Sequence, residues 1–210
     1  MRFSIYLLII IRMSLVVFAD SDISGVKGVD LEVYIIGGTG DLARRYLWNG
    51  FFKLFQESQS STRMRFCGAG KSDTSNAAFR QILRHSIACS NVDTRCAQQR
   101  LDFVTRSRYE RLQDESSYQK ICSFINSNSS NVIFYLSVPP AAYKGIIESI
   151  VKHCDVTSPK KNFKFVFEKP FGTDLRSAQS LSRMLSRYLL EGQIYRWVIK
   201  TPDFLWVVTF

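Results

Sequence analysis

Four short motifs in this 210-residue chain combine residue types and spacings that could do chemistry. The first is Gly37-Gly38-Thr39-Gly40-Asp41, followed by Leu42. Glycines let a backbone turn tightly and approach a pyrophosphate closely. A helix start just beyond them offers free N–H groups and a partial positive charge. The spacing is not a full G-x-G-x-x-G, so much of the reading rests on its place after an apolar run, and a plain glycine turn is the alternative. The second motif is Gly68-Ala69-Gly70-Lys71-Ser72. A carboxylate there would bond the ribose hydroxyls of NAD, whereas a cation would pair with the extra 2′-phosphate of NADP. Lys71 and Ser72 favour NADP, and Asp73 points the other way. The third motif runs from Phe134 to Pro140, an apolar strand stopped by two prolines. It would make a rigid ledge for the nicotinamide half, with Tyr135 and Pro139 as candidates and Phe134, Leu136 and Val138 as core. The fourth is Phe167-Glu168-Lys169-Pro170-Phe171-Gly172, where Lys169 could bind a sugar hydroxyl or phosphate.

The elements that must position these residues can be read from periodicity. Leu31–Ile36, Met64–Gly70, Val132–Val138 and Phe163–Phe167 read as strands, each followed by one of the motifs. A short strand is also expected over Leu101–Val104. Helical spacing is expected over Asp41–Gln56, Thr74–Cys89, Ser116–Ile125, Ala141–Val151 (running on to about Cys154) and Asp174–Leu190. Strands alternating with helices argue for an α/β fold with a doubly wound parallel sheet and right-handed crossovers. Such sheets bind ligands at the carboxyl ends of their strands, where the loops at 37–41, 137–140 and 168–172 stand out.

Composition narrows the function classes. Hydrophobic residues make up 46% and charged residues 22%, which suits a globular core rather than disorder. The formal net charge is +10, yet no basic run exceeds two residues (Arg44-Arg45 and Lys160-Lys161) and none is interleaved with aromatics. Nucleic-acid binding is therefore not expected, and small anionic ligands suit the diffuse charge better. Arg2 followed by apolar residues to Phe18, with Val17-Phe18-Ala19 at the end, reads as a signal peptide over residues 1–19, cut near Ala19. Arg12 breaks the run short of the ~20 residues that span a bilayer, so no stable membrane span is expected. Residues 20–30 read as a linker. Of the five cysteines, Cys89 and Cys96 could bridge in an oxidising lumen; the alternative is that all five are buried small hydrophobes. No CxxC is present, so no zinc or thioredoxin-type site is expected. Asn128-Ser129-Ser130 is a glycosylation sequon in a polar stretch.

In order, GGTGDLARRYLW, VIFYLSVPPAAY and FVFEKPFGTDLRSAQSL resemble the glucose-6-phosphate dehydrogenase family over roughly residues 31–196. Tyr46-Leu47-Trp48, Ser137-Val138-Pro139-Pro140 and the signal peptide look most like the family's endoplasmic-reticulum branch. The resemblance implies a Rossmann-like domain that binds NADP and serves oxidation of a hexose 6-phosphate at C1 to the lactone. Gly37, Gly38, Thr39, Gly40, Asp41 and Leu42 would line the coenzyme site, with Lys71 and Ser72 near the 2′-phosphate. Tyr135 and Pro139 would lie toward the nicotinamide. Lys169 would reach coenzyme and sugar phosphate, aided by a cis Pro170. The resemblance stops after Arg196. Residues 197–210 read as an unrelated tail, the family's C-terminal α+β domain is missing, and any homo-oligomer would need that domain. His85 and His153 both fall in expected helices, so no general base is found, and the chain is expected to be inactive alone and to leave apolar sheet surface exposed. Two rivals stand beside this reading: an enzyme like glucose–fructose oxidoreductase, and a non-catalytic dinucleotide-binding module.

Overall fold

The computed structural model describes residues 29–58, 62–90, 93–128, 131–168 and 174–197. The six strands are β1 (Val29–Ile36), β2 (Thr62–Gly70), β3 (Ser107–Arg111), β4 (Asn131–Leu136), β5 (Asn162–Glu168) and β6 (Ile194–Trp197). They form one sheet in the order β3-β2-β1-β4-β5-β6, and every neighbouring pair is parallel. This is a Rossmann-like doubly wound sheet, with the reversal of strand order between β1 and β4. The helices are α1 (Trp48–Ser58), α2 (Asn76–Ser86), α3 (Thr94–Thr105), α4 (Glu115–Asn128), α5 (Tyr143–His153) and α6 (Leu175–Leu185). A wider π-helical turn, Ala43–Leu47, leads into α1, with the Trp48 N–H reaching back to the Ala43 carbonyl.

Right-handed crossovers send helices to opposite faces as the strand order runs outward from β1. Leu31, Val33 and Ile35 of β1 pack on one face with Trp48, Phe51, Phe52 and Phe55 of α1, Phe79 of α2 and Phe103 of α3. Tyr34 and Ile36 turn to the other face, with Ile121 of α4 and Tyr143, Ile147 and Ile150 of α5. Strands buried on both sides must be apolar at nearly every position, so β1, β4 and β5 stand out in the sequence. Side-chain caps start three helices. Ser75 accepts from the Ala78 N–H, Asp93 from the Cys96 N–H, and Asp174 forms a reciprocal capping box with Ser177.

The structure corrects several expectations. Leu101–Val104 is not a strand. It is the final stretch of α3, whose Phe103 and Val104 point into the core while Leu101 is exposed. The strand in that region comes next, as the charged edge segment β3. The expected linker ends early, because β1 begins at Val29 and Asp30 pairs with Arg63. The tail starts late, because Trp197 belongs to β6, which pairs with β5. The strand expected over Val132–Val138 stops at Leu136, and the last expected helix stops at Leu185. Both readings of the cysteines prove partly right: Cys89 bonds Cys96, Cys122 bonds Cys154, and Cys67 is a buried free thiol. The expected signal peptide, Ser129-Ser130 of the sequon and the tail beyond Trp197 lie outside the described residues. Among the described residues no helix is long and apolar enough to cross a membrane.

Candidate functional site

The site is built at the carboxyl edge of the sheet. β1 ends at Ile36, and Gly37 turns the chain with φ +89°, a conformation that strains any side-chain-bearing residue. A Cβ on Gly37 would sit 2.1 Å from the Ser137 carbonyl oxygen, and one on Gly38 would sit 2.7 Å from the Gly68 Cα. The two glycines thus let the loop after β1 press between the ends of β2 and β4. The Gly37 and Gly38 N–H groups donate to the Ala69 carbonyl at 2.7 and 3.3 Å, and the Ser137 N–H donates to the Ile36 carbonyl at 2.8 Å. Trp48 fixes the loop from below, its indole N–H donating to the Gly38 carbonyl at 2.8 Å.

The helix begins where the loop ends. The Gly40 N–H closes a turn onto the Gly37 carbonyl at 2.8 Å, and the Gly40 carbonyl accepts the first helical bond, from the Arg44 N–H at 3.0 Å. The N–H groups of Asp41, Leu42 and Ala43 therefore have no intrahelical partner, which is the arrangement that holds phosphate at a helix start. Ala43 is buried and Leu42 packs against the core, so this first turn is anchored. Asp41 is exposed, and Arg45 pairs with its carboxylate at 2.7 Å, offsetting a negative charge beside the expected phosphates.

The second motif lies alongside. The Thr39 and Ser72 hydroxyls are 3.0 Å apart, joining the loops after β1 and β2. Lys71 and Ser72 are exposed. The Tyr109 hydroxyl donates to the Ser72 carbonyl at 3.1 Å; burial is the main cause pushing that hydroxyl above its ordinary range. Sequence reasoning missed Tyr109 and Trp48 as loop anchors. Both look like core aromatics, and their polar ends find partners only through the fold.

The third and fourth motifs meet at Glu168. The Tyr135 ring is 3% exposed and packs edge-on against Phe51, so it is core, while its hydroxyl donates to Glu168 Oε1 at 2.6 Å. Tyr143 donates to the Glu168 carbonyl at 3.3 Å. Burial drives both phenols up, Tyr143 to about 12, and pushes the Glu168 carboxyl up as well, against the Tyr135 hydrogen bond that pulls it down. Pro139 is exposed at the start of a short 3-10 turn, Pro140–Ala142. Lys169 and Pro170, the centre of the fourth motif, lie outside the described residues. The structure thus gathers Gly37, Gly38, Thr39, Gly40, Asp41, Leu42, Lys71 and Ser72 into one edge. Pro139 sits beyond β4 of that edge, and Tyr135 is set back in the core.

A glycine cradle no side chain could share, a helix start beside it and a strand-order reversal over it together define a dinucleotide-binding Rossmann-like domain. The chain belongs to the glucose-6-phosphate dehydrogenase family: residues 34–197 match the family model "Glucose-6-phosphate dehydrogenase, NAD binding domain". It is 33% identical over 179 residues to the GDH/6PGL endoplasmic bifunctional protein of Oryctolagus cuniculus, covering 79% of this chain and 22% of that protein. It is 32% identical over 173 residues to the glucose-6-phosphate 1-dehydrogenase of Bacillus subtilis, covering 78% of this chain and 34% of that one. The chain therefore spans only a fifth to a third of the length of these relatives. Among solved structures, glucose-6-phosphate 1-dehydrogenase from Mycobacterium avium superposes with TM-score 0.68 at 26% identity, over 80% of this chain and 35% of that one. A glucose-6-phosphate dehydrogenase in complex with glucose-6-phosphate gives TM-score 0.73 at 20% identity, over 84% of this chain and 38% of that one, which speaks for the fold.

Proposed function

We propose that this chain binds NADP across the carboxyl edge of its sheet, as the coenzyme-binding unit (residues 31–196) for oxidation of a hexose 6-phosphate at C1. The observation that carries the reading is the cradle at Gly37 and Gly38, where an added Cβ would strike backbone, set against the start of the first helix. The pyrophosphate would lie over Gly37–Leu42, the 2′-phosphate by Thr39, Lys71 and Ser72, and the nicotinamide toward Pro139 and the hydroxyl end of Tyr135. When bound, the coenzyme supplies a hydride acceptor. Lys169 is assigned the sugar phosphate and the nearby coenzyme edge.

Neither histidine is placed to take the C1 hydroxyl proton. The His85 Nδ1–H faces the Gln81 carbonyl of its own helix, and His153 closes α5, hydrogen-bonded to Glu115. Helix α5 runs back from the carboxyl edge, so its last turn lies at the opposite edge of the sheet. The chain alone is therefore expected to bind coenzyme without turnover. The same observation favours a second reading, a non-catalytic dinucleotide-binding module. Two disulfides support maturation in an oxidising compartment, consistent with a signal peptide at residues 1–19 and a lumenal location.

The test is titration of the purified chain with NADP and NAD, read by protein fluorescence, with NADPH formation from glucose 6-phosphate measured in parallel. The expected result is NADP binding, lost in Lys71→Glu, with no NADPH formed. Binding of neither dinucleotide would overturn the coenzyme reading. Turnover would restore an enzyme reading for the chain by itself.

A further inference from the structure

We infer that Arg111, at the end of β3, sets the choice between NADP and NAD by occupying the carboxylate of Asp73; this rests on the coenzyme reading above. Gly70 and Arg111 are register partners at the carboxyl ends of β2 and β3. The Leu112 N–H donates to the Gly70 carbonyl at 2.8 Å, and Tyr109 holds the Ser72 carbonyl, so the 71–73 loop leans over the end of β3. There Arg111 Nη1 meets Asp73 Oδ2 at 3.0 Å. With the Gln113 amide turned so that its oxygen faces the guanidinium, that oxygen accepts from Arg111 Nη2 at 3.1 Å and Nε at 3.3 Å. The guanidinium is thus clamped from both sides, pointing at the loop that holds Lys71.

A carboxylate just past β2 is the group that selects NAD, since it bonds the ribose diol and repels a 2′-phosphate. Asp73 is such a group, and its side chain is 83% exposed. Left free, it would work against Lys71. Paired with Arg111, it no longer presents a bare negative charge, and the loop holds two cations against one carboxylate. An ion pair this exposed adds little to stability, so its role lies in the local field rather than in the fold.

The experiment is titration of the full chain and three variants with NADP and NAD, with melting temperature as the folding control. Arg111→Ala is expected to weaken NADP about tenfold while leaving NAD unchanged or tighter. Arg111→Lys should keep most of the NADP preference. Adding Asp73→Asn to Arg111→Ala should recover part of the lost NADP affinity. A wild-type chain that binds both coenzymes, with a ratio that Arg111→Ala does not move, overturns this inference and leaves the coenzyme reading standing. A wild-type chain that binds neither overturns both.

Discussion

At the scale of single residues, the site depends on what is absent from two positions and on one half-buried carboxyl. Gly37 has φ +89° and no room for a Cβ, so Gly37→Ala combines left-handed strain of about 1–3 kcal/mol with a backbone clash. The expected outcome is a chain destabilised by at least about 2 kcal/mol that no longer binds dinucleotide, checked by urea denaturation and coenzyme titration. Gly145 in α5 has nothing within 4 Å of its virtual Cβ. There, alanine should be neutral or stabilise by about 0.5–1 kcal/mol, since it costs less backbone entropy in a helix. Equal effects at the two positions would sink the cradle argument. Glu168 adds a pH dependence. Its folded-state carboxyl is held above the ordinary 4.5 by burial, so its contribution is full below that value and is lost as pH rises through the raised one. The Tyr135 hydroxyl favours the ionised form, and Tyr135→Phe removes it. That substitution should cost about 1.5–3 kcal/mol at pH 7 and markedly less at pH 4, measured by urea denaturation at both. An equal cost at both pH values would mean the bond does not discriminate the ionised carboxylate.

At the scale of elements, burial decided what the sequence disclosed. β1, β4 and β5 carry helices on both faces, so their apolar runs were legible, and with them three of the four loops of the site. β3 was not. Ser-Arg-Tyr-Glu-Arg holds no apolar run, yet Tyr109 packs on Phe79 while Arg108 turns to Glu32, whose carboxylate it meets at 2.6 Å. That carboxylate, on β1, also accepts from the Tyr34 hydroxyl at 3.0 Å and lies 3.5 Å from Arg65. A pattern that depends on a partner 76 residues away leaves no local signal. For the same reason neither the Asp73–Arg111 pair nor the Tyr135–Glu168 bond was visible before the strands were aligned. Leu101–Val104 misled in the opposite sense: a short apolar run looks the same in a strand and on the inner face of a helix, and the Asp93 cap that settles the matter lies eight residues upstream. The buried cluster also makes a prediction. Glu32→Ala leaves Arg108 only the more distant Glu110 carboxylate at 4.0 Å and the Tyr34 hydroxyl, and should destabilise the domain by about 3 kcal/mol, the low end for a broken buried pair because both arginines keep some solvent. Adding Arg108→Met should recover much of that loss. Failure to recover would mean that Arg108 also stabilises β3 in another way, for instance through its guanidinium over the Phe124 ring.

At the scale of the whole molecule, the formal charge of +10 is spread without a basic stripe, while the candidate site gathers helix N–H groups, Lys71 and Arg111 at one edge of the sheet. The two sources of positive potential differ in reach. The diffuse charge acts over tens of ångströms and is screened once the Debye length falls from about 14 Å near 0.05 M salt to about 4 Å near 0.5 M. The backbone N–H groups of the helix start act at contact distance and survive most of that screening, whereas exposed side-chain cations do not. NADP and NAD share the pyrophosphate, so they share the helix start and its salt response. NADP adds a 2′-phosphate carrying up to two further negative charges, held by exposed cations rather than by buried backbone. Raising salt over that range should therefore weaken NADP about tenfold and NAD only about two- to threefold, so that coenzyme preference narrows as salt rises. In Arg111→Ala the two salt slopes should draw together, because the Asp73 carboxylate, no longer paired, offsets the charge of Lys71. Parallel slopes in the wild-type chain would mean that the 2′-phosphate is not held by exposed charge at all, and the assignment of Lys71 to it would have to be given up.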